Sequence, residues 1–118
     1  MKDSTNWRTN IVYMIVLVLA LFCGSVFGQV TVVHYNADWN DANKVEWVED
    51  LKDCELEYID IAKKPKQQSK HEIIVVPTII IFKDGEEVKR FQADISFTMQ
   101  AKLEDVQDVI NEQLMSDF

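Results

Sequence analysis

Cysteine is almost missing from this chain of 118 residues: there are two, Cys23 and Cys54, and the first lies inside a long apolar run. Once that run is set aside a single thiol remains, so an internal disulfide framework is excluded. Glycine is nearly as rare, with three residues, and no glycine-rich loop of the kind that cradles phosphates occurs. The two histidines, His34 and His71, form no cluster with metal-ligand spacing. A basic surplus is missing as well. From Gln29 onward 10 lysines and arginines face 19 aspartates and glutamates, a net charge of −9. Such a surface repels phosphate backbones, which excludes nucleic acid as a partner and suits a small domain kept soluble by its acidity. There is no internal repeat and no low-complexity tract.

What is present begins with the apolar run. Residues 11–27 carry no charge, Lys2 and Arg8 precede them, and Val26 and Gly28 are small residues placed for cleavage before Gln29. That layout predicts a signal peptide over 1–28 and an exported domain over 29–118. The rival is an uncleaved anchor, since the run approaches the roughly 17–25 residues that span a bilayer. Only in that case is a membrane a partner. Cleavage is preferred because the first strand starts at once, leaving no linker between an anchor and the sheet. Both readings place the domain outside the cytoplasm, periplasmic or secreted, with the cationic flank inside. The remaining part, about 90 residues, must be held by its core alone.

Hydrophobic periodicity then predicts the elements. Val30 to Asn36 reads as a buried strand. Asp41 to about Leu51 reads as a helix with Val45, Val48 and Leu51 on one face and Asn40 as N-cap. Leu56 to Ile61 is a second strand, and Pro65 opens a short helix reaching His71. Thr78 to Phe82 and Glu87 to Phe91 read as a hairpin around Asp84-Gly85. Leu103, Val106, Ile110 and Leu114 mark a last helix starting between Thr98 and Leu103. The order βαβα-ββα predicts an α/β fold, a small mixed sheet of four strands with helices on both faces.

Ala37-Asp38-Trp39 followed by Lys44 resembles the active-site segment Trp-Cys-Gly-Pro-Cys-Lys of the thioredoxin family. Two further stretches carry the resemblance. Lys70 to Thr78 is similar to Lys-Tyr-Gly-Ile-x-x-Ile-Pro-Thr, and Ile79 to Glu86 to Leu-Leu-Leu-Phe-Lys-Asn-Gly-Glu. It covers about Val30 to Leu114 and implies a minimal thioredoxin-like fold without the extra leading strand and helix. Asn40 and Asn43 stand where the family has its two cysteines, and Asp41-Ala42 replace its Gly-Pro. Glu72 replaces a glycine, and the stretch from Asp94 to Gln100 is longer than expected.

The resemblance implies a vestigial active site at Trp39, Asn40, Asp41, Ala42 and Asn43, with no catalytic residue and no cofactor. An asparagine amide is neither a nucleophile nor a redox group. The resemblance also implies a cis peptide before Pro77 and a peptide-binding shelf of Trp39, Val76 and Pro77, so the expected partner is a peptide or protein. His34 falls where the family buries an acid and reads as structural. The alternative function is a thiol–disulfide oxidoreductase in cell redox homeostasis, acting through Cys54 or a partner's thiols. Asp53 and Glu55 beside Cys54 oppose a reactive thiolate. Asp38, Asn40, Asp41 and Asn43 suggest calcium only superficially: the third ligand position, the turn glycine and the distal Glu of an EF-hand are missing, so no metal is expected.

Overall fold

The computed structural model describes residues 29–116, so the predicted export signal or anchor over 1–28 lies outside the described residues. Among the described residues no helix is long and apolar enough to cross a membrane. Strand β1 spans Val30–Asn36, β2 Glu55–Asp60, β3 Thr78–Lys83 and β4 Glu86–Gln92. The four form one mixed sheet in the order β2-β1-β3-β4. β1 and β2 run parallel, with Val32 opposite Leu56, and the pairs β1–β3 and β3–β4 are antiparallel. β1 is central because both its faces are apolar, the pattern of a strand covered on both sides. The β3–β4 link is the expected two-residue turn. Asp84 and Gly85 both hold positive φ, 53° and 88°, as a type I′ turn requires.

Side chains alternate across the sheet and build two cores. On one face Val30, Val32, Ile79 and Ile81 meet Val106 and Ile110 of helix α2, Leu103–Met115. Burial of each such side chain stabilises the fold by about 1.5–3 kcal/mol. The helix start is secured by Asp105, whose carboxylate accepts the Lys102 N–H at 2.8 Å. On the other face Val33, Tyr35, Ile59 and Ile80 pack with Ile61, Ile73 and Val76. The short helix α1, Pro65–Lys70, buries nothing of its own, but its following residue His71 stacks near Tyr35 and Phe82.

One predicted element is corrected. The expected helix from Asp41 to Leu51 is instead two short 3-10 segments, Asp38–Asn43 and Glu46–Asp50, separated by extended backbone at Lys44 and Val45. The Lys44 N–H bonds Asp41 O at 3.1 Å, one residue short of the α spacing. The Val45 N–H, which would bond Asp41 in an α-helix, turns to the ring of His34 at 3.3 Å. A buried histidine on β1 thus takes the donor that a continuous helix needs. Val48 and Leu51 still reach the core. The β2 side chains beneath the break are less covered: Leu56 and Tyr58 remain 40% and 48% exposed.

Candidate functional site

The site sits at the carboxyl end of β1, where α/β sheets hold their functional groups. Asn36 ends the strand fully buried, and Ala37 carries the chain into the first 3-10 segment. Asn40 does not cap it. Its backbone leaves helical geometry (φ −115°, ψ 23°), the N-cap is Ala37, and its side chain turns inward. The Asn40 Nδ2 donates to Asn36 Oδ1 at 3.1 Å, to Phe97 O at 3.3 Å and to Val76 O at 3.4 Å. In return the Asn36 amide donates to Asn40 O at 3.2 Å, and Asn43 Nδ2 donates to Asn40 Oδ1 at 2.9 Å. Three asparagines therefore tie β1, the loop before Pro77 and the loop after β4 into one polar knot.

Around this knot the apolar side chains divide. Val76 and Pro77 are buried, joined by a cis peptide, and present no side-chain shelf to solvent. Trp39 is 64% exposed and meets the Phe97 ring edge-on at 5.2 Å. Ile74 and Ile95, on the two loops that Asn40 joins, are 81% and 98% exposed. Phe97 holds φ at +63°, a conformation rare for a bulky residue. The Asp94 carboxylate fixes that loop: Oδ1 accepts the Ser96 N–H at 2.9 Å and the Thr98 hydroxyl at 3.2 Å, and Oδ2 accepts the Gln100 amide at 2.9 Å. The Ser96 hydroxyl, which also donates to Oδ1, and then the Ser96 and Thr98 N–H groups and the Thr98 hydroxyl keep its carboxyl below the usual range. On the outer side Asp38 pairs with Lys63 at 3.3 Å.

The predicted residues Trp39, Asn40, Asp41, Ala42 and Asn43 thus share one turn, and Val76 joins them through its carbonyl. Asp41 and Ala42 are exposed. Sequence reasoning missed Asn36, Phe97, Ile74 and Ile95. A polar residue closing an apolar strand was a readable signal for Asn36, and the extra length after Asp94 for Phe97. Among the described residues no group of three acidic, histidine or cysteine side chains is placed to hold a metal ion. Cys54 is only partly buried, yet burial, with Asp53 and Glu55 beside it, pushes its thiol up to about 11.

No protein-family model and no curated relative matches the sequence, so the likeness to known proteins rests on shape. The fold is that of the thioredoxins, in its minimal α/β form. A thioredoxin mutant from Halobacterium salinarum superposes with a TM-score of 0.59 at 22% identity, over 73% of this chain and 75% of that one. Fasciola hepatica thioredoxin gives 0.56 at 25% identity, over 80% and 90%. Schistosoma mansoni thioredoxin gives 0.56 at 22%, over 80% and 85%.

Proposed function

We propose that this thioredoxin-fold chain binds an extended peptide or a partner protein at its Trp39 end and performs no dithiol chemistry of its own. The observation that carries the reading is the asparagine knot, set behind an exposed Trp39–Phe97 pair. Amides fill the turn where a redox pair would need thiols, and they fix the loops that present Trp39, Ile74, Ile95 and Phe97. Aromatic side chains beside rigid loops are the usual anchors of protein interfaces. Oxidoreductase chemistry through Cys54 is disfavoured, because a thiol raised to about 11 is protonated at neutral pH. The domain acts outside the cytoplasm, residues 1–28 serving as the export signal.

The test has two arms. Insulin reduction with a dithiol donor should show no turnover above background. A displayed random-peptide library should yield ligands whose binding is lost in Trp39→Ala and Phe97→Ala. Turnover by the wild type, or ligands indifferent to both substitutions, would overturn the reading. The mass of the mature N-terminus decides the export signal: cleavage after Gly28 leaves Gln29 first.

A further inference from the structure

Strand β2 is one edge of the sheet: it pairs with β1, and no described strand lies on its other side. The Ile61 N–H donates to Asn36 O at 2.9 Å and so continues the parallel ladder past Asp60. Bonding direction alternates along a strand, so Glu57 and Ile59 share the sense of Ile61 and turn their N–H and C=O groups toward β1. Leu56 and Tyr58 therefore turn theirs outward. Among the described residues, no backbone bond outside the ladder reaches those groups. At Asp60 the edge closes, because the Lys63 and Lys64 N–H groups return to its carbonyl at 3.1 and 3.0 Å. The register with β1 is unbroken and the strand contains no proline, so two devices that blunt edge strands are missing.

The side chains along this edge divide by face. Leu56 and Tyr58 pair with Val32 and His34 on the α2 face and are 40% and 48% exposed. Glu55 and Glu57 pair with Thr31 and Val33 on the other face, and both are exposed. Outward backbone donors and acceptors are matched by another backbone. The alternation sets the side chains of that backbone: apolar against Leu56 and Tyr58, cationic against Glu55 and Glu57, since cross-strand neighbours on one face interact. A second copy is a poor match. Pairing Leu56 with Tyr58 of an antiparallel copy sets Glu57 opposite Glu57, and like charges placed so destabilise the pair. The chain's own residues 11–27 carry no charge to meet the glutamates.

We propose that β2 accepts a fifth strand from a partner protein, an extended segment in which lysine or arginine alternates with apolar residues. Its backbone bonds the N–H and C=O groups of Leu56 and Tyr58, its apolar side chains cover those two, and its cations meet Glu55 and Glu57. Main-chain bonds then supply affinity and the alternation supplies selectivity. This edge lies outside the Trp39–Phe97 surface, so the proposal stands whether or not that surface binds a partner.

The experiment titrates the full-length chain, in a neutral detergent, with a short capped peptide of alternating lysine and valine. A version N-methylated at the amides that would face β2 is run alongside. Amide hydrogen exchange read by NMR locates the peptide, and calorimetry gives its affinity. In the free chain the Leu56 and Tyr58 amides should exchange faster than those of Glu57 and Ile59. With the peptide at about ten times its Kd they should slow about tenfold. The N-methylated peptide should leave them fast. Glu55→Gln/Glu57→Gln should weaken binding about two- to thirtyfold, the span carried by two exposed ion pairs. Exchange unchanged by the peptide, full affinity in the double variant, or equal binding of the N-methylated peptide would overturn the proposal. So would Leu56 and Tyr58 amides already protected in the free chain, which would show the edge covered by residues 1–28 or by a second copy.

Discussion

Removing the Asn40 amide should be the most damaging single truncation at the site. Its two Nδ2 hydrogens serve three acceptors, Asn36 Oδ1, Phe97 O and Val76 O, and its Oδ1 receives the Asn43 amide. Asn40→Ala therefore breaks two to three bonds' worth of pairing at a position 5% exposed. Net bonds are worth about 0.5–1.5 kcal/mol each, and a buried group left unpaired costs about 1–3 kcal/mol. The expected loss is roughly 2–4 kcal/mol, above the roughly 1 kcal/mol typical of a helix cap. Asn40→Asp is the sharper control. It keeps the shape but turns an oxygen toward three oxygens, so at pH 7 it should cost more than Ala, about 3–5 kcal/mol for an unpaired buried charge. Its deficit relative to wild type at the same pH should shrink once the carboxyl is protonated. Urea denaturation followed by circular dichroism measures all three proteins. A loss under about 0.5 kcal/mol in Asn40→Ala, or Asn40→Asp matching wild type at pH 7, would refute the inward knot.

Stability should also fall on acidification because of His34, whose pKa drops from 6.5 to about 4 on folding. The neutral form is the folded form, so this contribution is complete above pH 6.5 and is lost as pH falls toward 4. A shift of that size corresponds to roughly 3 kcal/mol. His34→Gln, which can still accept from Val45, should flatten that part of the profile, and an unchanged slope would exclude His34 as its source. Asn40→Cys/Asn43→Cys should form an internal disulfide under mild oxidation. Side chains three apart in a 3-10 turn eclipse, and these two already touch at 2.9 Å. The variant should be less stable than wild type when reduced, because the knot is gone; failure to bridge, read by mass after alkylation, would show that the turn is misplaced.

The sheet was legible because its signals are local. β1 falls where the β-branched run lies, Val30–Asn36, and the other strands start or end within one residue of the periodicity. The hairpin turn follows from Asp84-Gly85 alone. The first helix was misread because Val45, Val48 and Leu51 repeat every three residues, a spacing that suits 3.0 residues per turn as well as 3.6. What decides between them is the Val45 N–H reaching His34, eleven positions earlier on a neighbouring element. Asn40 was misread for a related reason. The amide that makes asparagine a good cap serves equally well in a buried knot, and its partner Phe97 lies 57 positions away. Glu72 illustrates a departure from pattern that keeps the geometry: it holds φ at +52°, the left-handed region that the family's glycine adopts freely.

The local features of the turn all act against a thiolate and for a fixed surface. A reactive cysteine is favoured by a helix dipole and nearby positive charge. Here the segment after β1 is a 3-10 piece of six residues with Asp38 and Asp41 in its first turn. A thiol placed there would face two carboxylates with little dipole to offset them. A binding surface has the opposite requirement, loops held so that little order is lost on contact. The Asp94 carboxylate and the Asn40 amide provide that hold, and they retain Phe97 in left-handed backbone at a cost of about 1–2 kcal/mol. Strain of this kind persists only where surrounding bonds over-determine it, and it gathers at ligand-binding loops. The Phe97 ring is thereby kept against Trp39, next to Ile95 standing almost wholly in water. The Asp94 carboxylate and the Asn40 amide thus hold the Trp39–Phe97 pair and Ile95 at the surface, and the proposed binding of a partner at this end rests on that fixed geometry.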